Sequence, residues 1–206
     1  MTTVSEAIKK RHSARAFTDR DVDIDTVKSI IQIAKQSPSG VNTQPWNVYV
    51  LSGDARDKLV NEATSRYDQG KMDGQEYLVY PKEMPDWYKE RRRAVGWAMY
   101  GAIGIEKGDT EKMMAQGRKN YEFFGAPVGI FITVKNCVGP NGWGHVGHFI
   151  QNVCLLAIEN GLATCLQEAW AELPKLVREH VDYPEDETLW CGIALGYEDE
   201  TDPVNQ

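Results

Sequence analysis

The chain has 206 residues, of which 42% are hydrophobic and 26% charged, a balance typical of a folded globular domain. Its formal net charge of -7 argues against a nucleic-acid partner, because such proteins usually carry a basic surface. No secretory signal is apparent at the N-terminus, and no apolar run reaches the roughly 18 residues of a membrane span. We therefore predict a cytoplasmic protein with no membrane partner.

The four cysteines, at positions 137, 154, 165 and 191, do not form a recognisable disulfide or metal pattern. No pair has the C-x-x-C spacing of redox and zinc motifs, which favours a reducing compartment. Three of the four lie in apolar stretches, so we expect those three to be small buried hydrophobic residues.

Apolar residues recur at helical spacing in several segments. Helices are predicted over residues 4–11, 25–36, 54–66, 143–160 and 174–180. Val4 and Ile8 share the apolar face of the first helix, Asp23 or Asp25 can cap the second, and Asp54 the third. Residues 46–51, 127–134 and 189–195 are strand candidates, and 162–166 is a short apolar run. Helices that flank a few apolar strands predict an α+β layered fold.

Residues 67–118 differ from the rest of the chain, and we call them the excursion. They are rich in aromatic residues among several charges, namely Tyr77, Tyr80, Trp87, Tyr88, Trp97 and Tyr100. Prolines at 81 and 85 interrupt the segment, which is predicted to be helical from Asp86 onward. The aromatic residues either cover a site or pack on their own body. The basic run at residues 89–93 is typical of a solvated helix face.

Arg11, His12, Ser13, Ala14 and Arg15 form a cluster that we call the arginine segment. It places two guanidiniums, an imidazole and a hydroxyl within five residues, at the end of a predicted helix. Guanidiniums present a planar fork of donors that suits phosphate oxygens, and a serine hydroxyl adds a neutral donor. Surface charge alone is the alternative explanation.

A polar loop at residues 37–46, which we call the amide loop, connects a predicted helix to a predicted strand. It reads Ser37, Pro38, Ser39, Gly40, Val41, Asn42, Thr43, Gln44, Pro45 and Trp46. Side-chain amides can both donate and accept hydrogen bonds, so they can recognise a flat heterocycle with alternating carbonyl and N–H groups. Turn formation alone would also explain this composition.

Together these two segments resemble the nitroreductase family of FMN-dependent oxidoreductases, whose members carry R-R/H-S-x-R/K followed by a P-S-x-x-N-x-Q-P-W loop. The likeness continues at Phe124, Gly125, Ala126 and Pro127, at Gln151 and Asn152, and over residues 161–170, 192–197 and 202–205. It spans nearly the whole chain except residues 55–118. Residues 143–170 look closest to members that reduce nitrobenzoates and other nitroaromatics.

The resemblance implies a three-layer α/β/α sandwich with a mixed sheet, in an intertwined homodimer with FMN at the subunit interface. Residues 1–206 would form one nitroreductase-like domain, with the excursion as part of a lid over the active site. The implied activity is NAD(P)H-dependent reduction of nitroaromatic or quinone-like acceptors, by ping-pong hydride transfer through flavin N5. The alternative is a flavin-storage or flavin-processing protein of the same fold without nitroreductase turnover.

The resemblance also assigns roles within the arginine segment. Arg11 and Ser13 would hold the FMN phosphate, with His12 alongside through its backbone. Arg15 would lie near the N1 and O2 edge of the flavin, where a cation stabilises the anionic reduced form. Family members usually carry one or two arginines after the P-V-N segment. Either Arg118 assists Arg11 and Ser13, or further basic residues follow Gln206.

The remaining implied contacts come from the amide loop and from residues 168 and 169. From the other subunit, the loop would supply Pro38, Ser39, Gly40, Asn42 and Gln44. The backbone N–H groups of Glu168 and Ala169 would lie near flavin N5 and O4. No metal and no obligatory general acid is implied.

Three rival patterns are weaker. Residues 142–147 fit G-x-G-x-x-G, but several residues separate them from the preceding strand and bulky Trp143 lies inside the motif. His145 and His148 have the i, i+3 spacing of some metal ligands, although a helix-surface or interface role is favoured. No G-x-S-x-G motif is present, which disfavours a serine hydrolase.

Overall fold

The structure, a computed structural model, describes residues 2–206. Its helices are α1 (Val4–Lys10), α2 (Ile24–Ala34), α3 (Gly53–Asp68), α4 (Asp86–Ala102), α5 (Thr110–Arg118), α6 (Pro140–Glu159) and α7 (Pro174–Val181). Its strands are β1 (Trp46–Ser52), β2 (Val128–Lys135), β3 (Ala163–Gln167) and β4 (Glu187–Gly196). Short 3-10 turns lie at Gly40–Asn42, Lys119–Gly125, Glu168–Glu172 and Pro203–Asn205.

The four strands form one sheet in the order β1-β2-β4-β3, which leaves β1 and β3 at its edges. Every pair of neighbouring strands is antiparallel. We predicted a mixed sheet, and this detail needs correction. Within residues 2–206, parallel pairing is limited to an isolated bridge between Ser13 and Thr164.

Helices cover both faces of the sheet, as expected for a three-layer sandwich. Successive side chains of β2 point to opposite faces of the sheet, so apolar residues on both faces pack against helices. Ile130 packs into the layer of α2 and α6, where Trp46 stacks on Phe149 at a centroid distance of 5.0 Å. Phe131 packs into the layer of α3 and α7, edge-on to Trp170 at 5.1 Å.

Most predicted elements are confirmed, with small shifts at their ends, but one predicted helix cap is wrong. Asp23 caps α2 by accepting from the Asp25 backbone N–H at 3.0 Å, as predicted. Asp54 does not cap α3, because that helix already begins at Gly53. The predicted helical region after Asp86 is divided into α4 and α5. In α1, only Ala7 is buried, so the apolar face that includes Ile8 is uncovered in a single chain.

The excursion is anchored to the core at its beginning and is helical from Asp86, as predicted. The Tyr77 hydroxyl donates to the Trp190 carbonyl at 2.5 Å. The register between β2 and β4 shifts at Trp190, which has no pairing partner in β2. Such a β-bulge leaves the Trp190 carbonyl available for the Tyr77 hydroxyl. Further along, α4 lies next to the Pro203–Asn205 turn. None of the helices within residues 2–206 is both long and apolar enough for a membrane crossing.

Candidate functional site

The arginine segment lies along the exposed edge of β3. Ser13 forms the bridge to Thr164, and the Ala14 backbone N–H donates to the Thr164 carbonyl at 3.1 Å. Glu168 and Ala169 follow directly after the end of β3. A strand rises about 3.3 Å per residue, so residue 168 lies about 13 Å along the strand from residue 164. Two groups of candidate residues that are distant in sequence therefore share one sheet edge.

Arg11 and Arg15 are half-buried, and within residues 2–206 neither guanidinium forms an ion pair with a carboxylate. The Arg15 side chain donates to the Ser13 carbonyl at 3.2 Å, and its backbone N–H donates to Asn205 Oδ1 at 2.7 Å. Among the described residues, both guanidiniums lack a carboxylate partner although acidic residues outnumber basic ones in this chain. They are suited to an anion supplied by a ligand.

His12 presents its backbone rather than its side chain to this edge. Its Nε2 lies 2.7 Å from Glu198 Oε1, and its Nδ1 lies 3.0 Å from the Lys10 carbonyl oxygen. Both ring nitrogens are thus engaged within the chain. This arrangement agrees with a role of His12 that is limited to its backbone.

The amide loop has an irregular backbone that keeps its polar groups exposed. Val41, Asn42 and Gln44 all have positive φ, at 45°, 58° and 44°. The Gln44 backbone N–H donates to Ser39 Oγ at 2.9 Å, which closes the loop on itself. Val41, at 97% exposure, projects away from the chain. Such a backbone needs support from its surroundings, since positive φ costs energy in residues other than glycine.

Helix α6 supplies that support. Asn152 donates to Ser37 Oγ at 2.7 Å, and His148 Nδ1 lies 3.4 Å from the Pro38 carbonyl oxygen. The Gly40 backbone N–H points to the His145 ring, with Nε2 at 3.3 Å. We expected a helix-surface or interface role for these two histidines, and the structure places them beneath the amide loop. Sequence reasoning missed this link because the pairs are more than 100 residues apart.

The amide loop and the arginine segment lie on opposite flanks of α6 within one chain. His145, His148 and Asn152 fall on one flank, because they are separated by three and four residues. Cys154 lies about 200° around the helix axis from Asn152, so it is on the opposite flank. Burial raises the pKa of the Cys154 thiol, and the nearby Arg11 guanidinium opposes that shift. The amide loop and the arginine segment therefore face different sides of α6 within one chain.

A pocket of about 380 Å³ lies beside residues 168 and 169. Tyr80 of the excursion and Leu166 of β3 line it, together with Gln75 and Asn120. Partial burial raises the pKa of the Glu168 carboxyl, and burial likewise raises that of the Tyr80 hydroxyl. Leu166 is 41% exposed, which is unusual for a leucine in a strand. Sequence reasoning did not single out Leu166, and only its apolar character next to Glu168 could have indicated it.

Two alternatives from the sequence are corrected. Residues 142–147 lie inside α6, whereas a dinucleotide loop must precede its helix, so the Rossmann interpretation is wrong. Gly142 instead allows close packing on Val138. Arg118 donates to Asp68 at 2.9 Å and pairs with Glu122, so its guanidinium is occupied by carboxylates. We therefore remove Arg118 from the candidate phosphate ligands.

The α+β sandwich places unpaired cations on one sheet edge, an arrangement that suits an anionic ligand. The chain belongs to the nitroreductase family, whose family model matches residues 8–197. A 4-nitrobenzoate reductase from Nocardioides sp. (strain LMS-CY) is 36% identical over 202 residues, covering 96% of this chain and 81% of the relative. A nitrobenzene nitroreductase from Ectopseudomonas oleovorans is 32% identical, covering 98% of this chain and 90% of the relative.

Solved structures agree with this assignment. An FMN and NADPH-dependent nitroreductase NfnB from Sphigopyxis sp. strain HMH shares 39% identity and a TM-score of 0.94, covering 99% of this chain and 92% of that one. An FMN-dependent nitroreductase NfnB from Mycobacterium smegmatis, in complex with NADPH, shares 29% identity and a TM-score of 0.92, with coverages of 98% and 90%. The predicted family and fold are therefore confirmed.

Proposed function

We propose that this chain is an FMN-dependent NAD(P)H oxidoreductase that reduces nitroaromatic acceptors. The observation that carries this proposal is the match over 99% of the chain to an FMN and NADPH-dependent nitroreductase. The relatives named as 4-nitrobenzoate and nitrobenzene reductases point to the same chemistry. The alternative of a flavin-storage or flavin-processing protein has no comparable support.

The chemistry of the donor set fits a flavin mononucleotide. Arg11 and Ser13 would bind its phosphate, because the guanidinium of Arg11 is unpaired and half-buried. At the other end of β3, the backbone N–H groups of Glu168 and Ala169 would face the flavin ring. Arg15 lies between these ends, where its cation would stabilise the negative charge that reduction adds to the ring. Bound FMN supplies the hydride acceptor and donor that no side chain can provide.

We further propose that the functional unit is a homodimer in which each site draws on two chains. Pro38, Ser39, Gly40, Asn42 and Gln44 lie on the opposite flank of α6 from the arginine segment. A second subunit would bring its own amide loop to such a cofactor, as the resemblance implies. Asn42 and Gln44 would then contact the ribityl chain or the pyrimidine edge.

The residues around the cofactor would also control access to it. Tyr80 and Leu166 line the pocket beside Glu168, so they would exclude water and stack against a flat acceptor. The excursion that carries Tyr80 would thereby form part of a lid, as the sequence predicted. We expect water to supply the protons, so no side chain is assigned as an obligatory general acid.

An anaerobic titration tests the proposed activity. The purified protein should be yellow, should lose its flavin colour on addition of NADPH or NADH, and should regain it on addition of 4-nitrobenzoate or nitrobenzene. Protein that stays colourless after incubation with FMN would contradict the cofactor assignment. Protein that binds FMN but is not reoxidised by any nitroarene or quinone would support the storage alternative instead.

A further inference from the structure

A wide cleft lies within the excursion, and we call it the α4 cleft. It has a volume of about 940 Å³ and forms between residues 80–84 and one face of α4. The α4 side chains that line it are Lys89, Arg92, Arg93, Trp97 and Tyr100, with Gly96 among them. Their spacings of three and four residues place them on one side of the helix.

The charges in the α4 cleft are mostly positive, although the chain as a whole is acidic. Lys89 is paired with Asp86 at 3.1 Å. Lys82, Arg92 and Arg93 have no carboxylate partner within residues 2–206, and Glu83 is the acid that lines the same cleft. The basic run that the sequence assigned to a solvated helix face therefore contributes two arginines to a concave surface.

Aromatic rings accompany these cations. The Arg92 guanidinium lies 4.9 Å from the centroid of the Tyr80 ring, and Trp97 packs edge-on to Tyr100 at 5.8 Å. Trp97 remains 43% exposed. A wall of aromatic rings beside unpaired guanidiniums is suited to a flat ligand that carries an anionic group.

The α4 cleft adjoins the candidate flavin site through Tyr80, and helix α4 also contacts a turn that holds the arginine segment. Tyr80 lines both the α4 cleft and the pocket beside Glu168. The Pro203–Asn205 turn, which α4 approaches, holds the backbone of Arg15 through the Asn205 side chain. A ligand seated in the α4 cleft can therefore extend toward the place where FMN would lie.

We propose that the α4 cleft binds the anionic group of an aromatic substrate, with Arg93, Arg92 and Lys82 as specificity-determining residues. This inference rests on the proposed function and adds the substrate class to it. The anion has two possible sources with the same recognition chemistry. One is the carboxylate of a nitroaromatic acid, and the other is the 2′-phosphate of NADPH.

Charge-neutral variants test this inference. We compare Arg93→Gln and Lys82→Gln with the matched control Arg91→Gln, since Arg91 lies on the same helix but outside the α4 cleft. Steady-state KM and kcat are measured for 4-nitrobenzoate, nitrobenzene, NADPH and NADH. If the acceptor is bound, KM for 4-nitrobenzoate rises about 10-fold in the cleft variants, a loss that fits one charge-assisted contact. KM for nitrobenzene changes much less, and the control resembles wild type.

The same experiment distinguishes the two sources of the anion. If the cofactor phosphate is bound, KM for NADPH rises while KM for NADH and for both nitroarenes stays near wild type. The inference would be overturned if KM changed equally for 4-nitrobenzoate and nitrobenzene and equally for NADPH and NADH. It would also be overturned if the cleft variants had the same KM values as Arg91→Gln. Activity of the wild type with nitrobenzene tests the proposed function separately, because that substrate carries no anionic group.

A second pair of variants fills the α4 cleft without altering its charges. A Cβ on Gly96 or on Gly101 meets no atom within 4 Å, but only Gly96 lines the α4 cleft. Both positions are helical, so Gly96→Leu and Gly101→Leu should fold. Calorimetric titration of the oxidised holoprotein with 4-nitrobenzoate, and separately with NADP⁺, should show weakened binding of one ligand for Gly96→Leu alone. Unchanged binding of both ligands, or equal weakening in the two variants, would overturn the inference.

Discussion

Two unpaired guanidiniums on the β3 edge are the residues on which cofactor retention should depend most. Arg11→Ala removes one charge-assisted contact to the phosphate, worth about 1.5 to 3 kcal/mol, so FMN should bind roughly 10- to 150-fold more weakly. Equilibrium dialysis of the variant against FMN measures this loss. Arg11→Lys should restore part of the affinity, since it keeps the charge but loses the planar fork.

A matched control for this experiment is Arg20→Ala. The Arg20 guanidinium stacks over the Tyr197 ring, 3.7 Å from its centroid, and it lies outside the arginine segment. Its removal should leave FMN affinity unchanged. If Arg11→Ala also retains FMN as the wild type does, the phosphate assignment is wrong.

Cysteine reactivity provides a second test at the level of single residues. Cys154, Cys165 and Cys191 are buried, as their apolar sequence context predicted, while Cys137 is exposed. Burial raises the pKa of the Cys165 thiol to about 11, so almost none of it is the reactive thiolate at pH 8. A disulfide reagent at pH 8 should therefore label one thiol rapidly, and Cys137→Ser should abolish this fast phase. More than one fast equivalent in the folded protein would contradict the packing described.

At the scale of elements, α7 depends on a cap from a distant part of the chain. No side chain of its own N-terminal residues caps the helix. Asp73 of the excursion accepts from the Lys175 and Leu176 backbone N–H groups at 3.0 and 3.1 Å, and it pairs with Arg66 at 3.2 Å. The same carboxylate thus caps α7 and fixes the start of the excursion to the core.

Asp73→Ala should lower the free energy of unfolding by about 1 to 2 kcal/mol, because it leaves two helix N–H groups without an acceptor. Urea denaturation of wild type and variant, at equal protein and FMN concentrations, measures the difference. Asp73→Asn is the control, since an amide oxygen can still cap the helix. If both variants are as stable as wild type, Asp73 does not act as a cap.

Contiguous patterns could be predicted from the sequence, but links across the chain could not. The arginine segment and the amide loop were found because their residues are adjacent and their chemistry is uniform. Asp73 was missed as a cap because its partners, Lys175 and Leu176, lie about 100 residues away. The boundary between α4 and α5 was missed because α5 is short and polar and buries only Gln116, so no apolar stripe marks it.

At the scale of the whole molecule, one chain leaves apolar surface uncovered close to the candidate site. Val4 and Ile8, which share the apolar face of α1, are 71% and 53% exposed. Val41 in the amide loop and Leu166 beside Glu168 are also exposed. Side chains of this size are usually buried, and a second copy of the chain would cover them in the proposed homodimer.

Because each cofactor site is proposed to need two chains, dimer dissociation and FMN loss should occur together. Ile8→Asp places a charge on the uncovered face of α1 and should weaken the dimer at least about 10-fold, since burying an unpaired carboxylate is costly. Sedimentation velocity over a range of protein concentrations measures the dimer, and flavin absorbance in the same boundary measures bound FMN. Met114→Asp is the control, because Met114 is similarly exposed, at 55%, on α5 in the opposite layer. A monomeric Ile8→Asp protein that retains its full complement of FMN would show that one chain holds the cofactor alone.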